Sequence, residues 1–265
     1  MSVYEKESPE FFRISIESML SQTIMPEEFV IVEDGPLTDG LRAVIDDYRN
    51  QYPEMFTIVP SKKNNSLGAA LTLGLRHTRN ELVARMDTDD LSLPDRCEAE
   101  LHLFMEHPEL DIVGAYDRDF SDSPKNLLGI RVVPLAQEAI YKRGKTRSPF
   151  NHVTVMFRKS TVMKFGGYAD IPRCEDADLF GRMMYGGCRA KNLDQVLVYV
   201  RVSPDRMKRR KSWEHVKNII SVRKKFWKIG YASLFDFSIF LIAQLGVFIS
   251  PIWLQSIIYS KLLRK

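Results

Sequence analysis

Over the first 115 positions the apolar residues switch repeatedly between two spacings. In residues 9–22 they fall at Phe12, Ile16, Met19 and Leu20, one face of a helix. Ser8 is placed to cap that helix, and Pro9 suits its first turn. Phe29-Val30-Ile31-Val32 is a continuous apolar run that reads as a short buried strand, closed by the turn Glu33-Asp34-Gly35-Pro36. The alternation continues with a helix over 41–52 and a strand over 56–59. A small-residue helix over 68–79, a strand over 82–86, a helix over 94–106 and a strand over 112–114 follow. Strands alternating with helices predict βαβ units and a mostly parallel sheet.

Beyond 115 the pattern is less regular. Residues 127–133, 152–157 and 196–200 read as strands. Residues 175–185 read as a helix with Leu179, Met183 and Met184 on one side. The tail differs in kind. Residues 207–228 predict a helix with nine Lys and Arg against a single acid, Glu214, and residues 237–260 run for 24 positions without a charge. Such a run is long enough to span a bilayer, for which about 20 apolar residues suffice. Ser238, Gln244, Gly246, Ser250, Pro251, Gln255 and Ser256 interrupt it, so two helices lying in the headgroup region and broken near Pro251 are the competing reading. Trp253 and Tyr259 suit an interface, and Lys261, Arg264 and Lys265 suit lipid phosphates. A helical hairpin buried against the body or a second subunit is the third.

Composition narrows the class. A chain of 265 residues with 45% hydrophobic and 27% charged residues builds a sizeable core: one domain, or one domain over 1–200 with an appendage over 201–265. Three cysteines (Cys97, Cys174, Cys188), odd in number and without CxxC spacing, argue against a disulfide framework or a zinc site and fit a reducing compartment. Residues 1–20 are charged and hold no apolar signal-peptide core. The net charge of +4 hides an asymmetry. Residues 1–200 carry 24 Lys and Arg against 31 Asp and Glu, and residues 201–265 carry 14 against 3. An acidic body with a basic tail points to an anionic partner, a membrane surface or a nucleic acid.

The densest chemistry lies at Asp87-Thr88-Asp89-Asp90, where an apolar strand ends in three carboxylates. Carboxylates so close repel unless a cation sits among them, and Mg²⁺ or Mn²⁺ prefers such oxygen ligands shared with a substrate phosphate. The carboxyl end of a strand is also where open α/β sheets bind ligands. The structural alternative is a polar turn that caps the next helix through Asp90 or Ser92. Glu33-Asp34, at an earlier strand end, falls on the same rim and either accepts hydrogen bonds from a nucleoside or is a solvated turn. The loop Lys62-Lys63-Asn64-Asn65-Ser66 leads into Gly68-Ala69-Ala70. Its free amides suit an anion, and its small residues equally suit tight helix packing. It lacks the GK[ST] of a Walker loop. Glu175-Asp176 opens a helix, where the helix dipole favours acids and where a general base for an alcohol can sit. Asn151-His152 marks a strand entrance, and a hydrogen-bonded structural histidine is its simpler reading.

Taken in order, these segments resemble the family 2 inverting glycosyltransferases of GT-A fold, especially the bacterial branch that builds surface polysaccharides. Met1-Ser2-Val3-Tyr4 resembles the end of that family's first strand, and residues 16–23 its S(I/V)L-QT helix end. Ile31-Val32-Glu33-Asp34-Gly35 resembles its second strand end, and Asp87-Thr88-Asp89, followed by Leu93-Pro94-Asp95-Arg96, its DXD motif. Residues 150–158 with Gly166-Gly167-Tyr168 resemble its acceptor-side segment, and Glu175-Asp176 with Asp178-Leu179 the helix that carries the base. The resemblance covers residues 1–200. It implies a doubly wound mixed α/β sheet, a nucleotide-diphosphate sugar as donor (a UDP-hexose most often), and a divalent metal. Tyr4, Glu33 or Asp34, and Asp87 would hold the nucleoside, with Asn64 a further donor-binding candidate. Asp89 with Asp90 would hold the metal. Asp176 would be the base, with Glu175 the second choice. The acceptor would be a hydroxyl of a growing, lipid-linked glycan. The tail would hold the enzyme on the inner face of the cytoplasmic membrane, with no nucleic-acid partner. Family members carry several apolar residues before the position of Met1, so the natural product is expected to begin about five to eight residues upstream, a strand's length. A sugar-nucleotide nucleotidyltransferase is the enzymatic rival. It calls for a Gly-rich phosphate loop with a basic residue in positions 1–15, which is absent. A non-catalytic nucleotide- or lipid-binding relative is the other rival, and intact Asp87, Asp89 and Asp176 speak against it.

Overall fold

The computed structural model describes residues 1–202 and 212–251. Helix α1 (Pro9–Leu20) starts as the sequence predicts: the Ser8 hydroxyl accepts from Phe11 N, and Phe12, Ile16 and Met19 are buried. Three parallel strands, β1 (Ser2–Val3), β2 (Phe29–Asp34) and β3 (Phe56–Ser61), form the first sheet in that order. Alternation along β2 sends its side chains to two layers. Phe29 and Ile31 join Phe12, Ile16, Leu41 and Ile45 in a core with α1 and α2 (Asp39–Gln51). Val32 packs with Ala70 of α3 (Leu67–His77) on the opposite face.

The second sheet contains β4 (Leu82–Ala84), β5 (Leu91–Ser92), β6 (Ile112–Phe120), β7 (Leu127–Arg131), β8 (Met156–Arg158) and β9 (Ala190–Arg201). Its order is β4-β8-β6-β9-β5, with β7 on β6. Only β6 and β9 run parallel there; the β4–β8, β6–β8, β6–β7 and β5–β9 ladders are antiparallel. The expectation of a mostly parallel sheet therefore holds for β1–β3 and fails beyond them. Apolar patterning marks a strand but carries no direction; the connections set it. The expected strand over 152–157 is also shorter than expected. His152–Thr154 is a 3₁₀ turn, and β8 begins at Met156. Thr154 Oγ1 accepts from Ala115 N at 3.0 Å and Asn151 Nδ2 donates to Ala115 O at 3.0 Å, so side chains take the β6 backbone groups that a neighbouring strand would use. Helix α4 starts at Arg96 (Arg96–Glu106). Two further helices, α5 (Gln137–Gly144) and α6 (Lys159–Lys164), have no counterpart in the sequence reading.

Strand β1 is two residues long. Met1 N donates to Val30 O at 2.9 Å, and Val32 N donates to Met1 O at 3.0 Å. Beside it a cavity of about 450 Å³ lies between β2 and β4, lined by Met1, Phe29, Val30, Val83, Met86 and Phe157 among others. Burial first, and the Arg85 charge second, push the Met1 amine down to about 5.

Helices α7 (Glu175–Tyr185) and α8 (Trp213–Lys228) pack face to face. Val222 and Phe226 of α8 enter the core that holds Phe180 and Met183. The ring of Phe226 lies on Gly181, where a Cβ would come within 1.9 Å of it. Helix α9 (Leu234–Ile249) opens with a capping box between Ser233 and Asp236 and buries none of its residues. Among the described residues no helix is long and apolar enough to cross a membrane. Residues 203–211 and 252–265, with Trp253, Tyr259, Lys261, Arg264 and Lys265, lie outside the described residues.

Candidate active site

Immediately after β4 the chain places Asp87, Asp89 and Asp90 so that one carboxylate oxygen from each lies within 4.8 Å of the others. Three side chains hold this turn. Ser15 of α1 donates to Asp87 O at 2.6 Å, and Arg85 pairs with the Asp87 carboxylate. Arg201, at the end of β9, donates from its backbone N to Asp90 Oδ1 at 2.9 Å and from Nε to Asp89 O at 3.1 Å. The Arg201 guanidinium is fixed in turn, 3.8 Å above the Phe11 ring. Burial, then the Asp87 charge, raise Asp89 to about 6, and burial with both neighbours raises Asp90 well above the usual carboxylate range. Such shifts report burial first and mutual repulsion second, and a nearby cation offsets both. An all-carboxylate donor set fits a hard divalent ion. The helix-capping alternative does not hold: Asp95 is the N-cap of α4 and makes no side-chain cap bond, while Asp90 is bound to β9.

The first sheet's carboxyl rim carries Tyr4, Glu33, Asp34 and Asn64. Val3 pairs with Glu33, so Tyr4 stands one residue beyond that pair. Asp34 is buried, and its Oδ1 accepts from Asn65 N at 2.8 Å and Asn65 Nδ2 at 3.0 Å. Asn64 Nδ2 donates to Asp34 O at 3.2 Å. Gly35, at φ +91°, brings its backbone so near that a Cβ would lie 2.8 Å from Asn64 N. Asp34 thus ties the β2 turn to the β3–α3 loop. At the far end of that loop, a Cβ on Gly68 would lie 2.3 Å from Ala169 O and 3.0 Å from Glu175 Cβ. Of the two roles the sequence offered for this loop, the small residue serves close packing, and it brings α3 against the entrance of α7.

The first turn of α7 holds three acids in three different situations. Asp178 is buried and paired at 2.6 Å with both Arg182 and Lys225, which joins α7 to α8. Glu175 is buried, its Oε2 has no hydrogen-bond partner among the described residues, and burial with the Asp176 charge raises it to about 7. Asp176 is half-buried, and its charge acts on Tyr168, Cys174 and Arg223. Arg85 and Tyr168 interact with both these acids and the carboxylate cluster, and His152 lies beside Tyr168. His152 Nε2 lies 3.1 Å from the Tyr168 hydroxyl. Burial, then the charges of Arg85 and Arg131, hold the imidazole well below its usual range and so neutral. Arg85 is buried, with Nε and one Nη unpartnered among the described residues, and its charge acts on Asp87, Asp89, Glu175 and His152. The sequence reading did not single out Arg85 or Arg201. The available signal for Arg85 was a lone cation inside an apolar strand.

This architecture, with strand-end carboxylates and a helix-start acid on either side of a buried arginine, is the GT-A fold of the solved structures it matches. Staphylococcus aureus TarS 1–349 in complex with UDP-GlcNAc matches with a TM-score of 0.67 at 16% identity, over 92% of this chain and 70% of that one. Mannosyltransferase PcManGT from Pyrobaculum calidifontis, in complex with GDP-Man and Mn²⁺, matches with a TM-score of 0.64 at 16% identity, over 86% and 63%. Residues 1–171 match the family described as Glycosyl transferase family 2, and the chain belongs to that family. It is 34% identical over 266 residues, 100% of its own length and 95% of the relative's, to the UDP-Gal:alpha-D-GlcNAc-diphosphoundecaprenol beta-1,3-galactosyltransferase of Escherichia coli. It is 33% identical to the amylovoran biosynthesis glycosyltransferase AmsE of Erwinia amylovora, over 98% and 97% of the two chains. The protein is a glycosyltransferase, as the motif order implied.

Proposed function

We propose that the protein transfers a hexosyl unit from a UDP-sugar to a hydroxyl of a lipid-linked glycan, with inversion at the anomeric carbon, in bacterial surface-polysaccharide synthesis. The observation that carries this reading is the pairing of the Asp87–Asp89–Asp90 cluster with a half-exposed Asp176 on the far side of Arg85 and Tyr168. The named activity of the Escherichia coli relative supports a UDP-hexose donor and a diphosphate-linked acceptor.

Asp89 and Asp90 would hold the metal, with Asp87 shared between the metal and the donor. Bound Mg²⁺ or Mn²⁺ would offset the negative charge that develops on the leaving diphosphate. Tyr4, Glu33 and Asn64 line the nucleoside end, and Asp34 acts by fixing the Asn64–Asn65 loop. Asp176 accepts the proton of the acceptor hydroxyl as its oxygen attacks the anomeric carbon from the face opposite the diphosphate. The new C–O bond forms as the bond to the diphosphate oxygen breaks, and UDP leaves. Glu175 is buried, whereas Asp176 keeps partial exposure to the cleft, so an acceptor hydroxyl reaches Asp176 and not Glu175. Arg85 orients Asp87, and the neutral His152 orients Tyr168.

Helix α9 exposes Leu234, Phe235, Ile239, Ile242 and Ile249. Exposed Lys217, Lys224 and Lys228 of α8 lie on the neighbouring helix. An apolar face beside basic side chains suits peripheral contact with an anionic leaflet, here the cytoplasmic one, where a lipid-linked acceptor resides. Nucleotide release from UDP-hexoses, with and without Mn²⁺ and a lipid-diphosphate GlcNAc acceptor, tests the function. The expected result is acceptor-stimulated, metal-dependent release. Synthesis of a UDP-sugar from UTP and a sugar phosphate would instead identify a nucleotidyltransferase.

A further inference from the structure

Three arginines lie on neighbouring segments beyond the base, Arg131 with Asp117 as its cross-strand partner and Arg143 and Arg147 four residues apart. Arg131 ends β7, Arg143 lies in the last turn of α5, and Arg147 follows on the way to Phe150. Their backbones are fixed close by: Asn151 Nδ2 donates to Arg131 O at 2.9 Å, and Arg147 N donates to Arg143 O at 2.8 Å. Arg143 Nε donates to a carbonyl, Ser148 O, at 3.4 Å. Among the described residues none of the three takes part in an ion pair. Arg143 feels both of the others, and Arg147 feels Arg131. Burial, then Arg147 and Arg131, push Arg143 down to about 10, and burial, then Arg131, lower Arg147. Cations gathered this way gain most from an anion of more than one charge, and guanidinium groups match phosphate oxygens in paired hydrogen bonds.

Their place in the fold says which anion. On one side, the Arg131 charge reaches His152, which meets Tyr168 at the base. On the other side, Gly144 O at the end of α5 accepts from Arg223 Nη1 at 2.7 Å, and the Arg223 guanidinium lies 5.7 Å from the Phe240 ring of α9. Lys142 and Lys145 of the same segment act on Asp236 at the start of α9. The arginines therefore stand between Asp176 and the exposed apolar helix.

We propose that Arg131, Arg143 and Arg147 bind the diphosphate that joins the acceptor sugar to its lipid, with the sugar at Asp176 and the lipid leaving along α9. This inference rests on the reading of the acceptor as lipid-linked. The two diphosphates of the reaction are then held by opposite means: the donor's through carboxylates and a metal, the acceptor's directly by arginines.

The first test is calorimetric titration of the full chain with inorganic pyrophosphate in EDTA, where the bare carboxylate cluster repels the anion. The wild type binds, and the double variant Arg143→Gln/Arg147→Gln loses at least about tenfold in affinity, with part restored in Arg143→Lys/Arg147→Lys. Equal binding by wild type and the Gln variant overturns the site. The second test compares KM for a short-chain lipid carrying GlcNAc through a diphosphate with KM for the same sugar as a phosphate-free alkyl glycoside. The double Gln variant raises the first KM at least about tenfold and leaves the second where it was. If pyrophosphate binding is lost in the variant but wild-type KM does not distinguish the two acceptors, the lipid-linked acceptor reading fails, and the site's role with it. If the variant loses flotation with anionic vesicles while both KM values stand, the arginines bind bulk lipid headgroups and the proposal is wrong.

Discussion

Burial separates the two carboxylates at the start of α7, and that separation assigns their roles. Asp176 keeps access to the cleft, so Asp176→Asn should bind UDP-sugar normally and lose turnover by at least about 10²-fold, the usual contribution of a general base. Titration calorimetry beside steady-state kinetics checks this; collapse of donor affinity with turnover intact would move the base elsewhere. Glu175 makes a different prediction. Its pKa is about 7 in the folded chain against 4.5 for the free group, so the folded state holds more protons between those values. Stability must then fall as pH rises from about 4.5 to 7, by up to about 3 kcal/mol. Glu175→Gln should flatten that decline in urea denaturation measured across the range. At the cluster, Asp89→Ala should abolish Mn²⁺-dependent UDP binding with the fold intact by circular dichroism; Mn²⁺-dependent affinity equal to wild type would exclude it as the ligand. Asp87, Asp89, Asp90 and Asp176 were legible in the sequence because each sits at the end of an element whose period could be read. The partners of Asp34 and Asp90 were not. Asn65 meets Asp34 across 31 positions and Arg201 meets Asp90 across 111, and no local pattern encodes such a meeting.

At the scale of elements, the helices and strands of residues 1–115 follow from spacing, capping and turn chemistry. The second sheet does not, because β8 and β9 read as strands of either direction and their pairing depends on distant segments. Helix α5 escaped notice because it buries only Ile140 and Gly144, too few apolar positions to show a period. The α7–α8 contact is likewise invisible locally: Gly181 reads as a weak point in a helix until Phe226 is seen lying on it. Gly181→Ala should therefore destabilise the protein by about 1–3 kcal/mol in denaturant titrations, even though alanine is the better helix former, since a ring 1.9 Å from the new Cβ has to move. Unchanged stability would show that α8 is not held against α7 as described.

At the scale of the whole molecule, the basic and apolar tail divides in two. Helix α8 belongs to the body, since Val216, Val222 and Phe226 are buried in it, and a cut near residue 206 would open the core. A cut after Ser233 removes α9 and residues 250–265, with Lys261, Arg264 and Lys265, and leaves α8 in place. That shortened protein should stay folded and remain in the dense fraction when mixed with anionic vesicles at low salt, while the full chain floats with them. Each basic residue held near such a surface contributes about 1 kcal/mol. Failure of the full chain to float would make α9 a packing or oligomer surface. Mass spectrometry of a GlcNAc-diphosphate-lipid incubated with UDP-galactose and Mn²⁺ should show the acceptor gaining one hexosyl unit, with UDP released in equal amount and both lost in EDTA. Transfer that runs equally fast in EDTA would contradict the account.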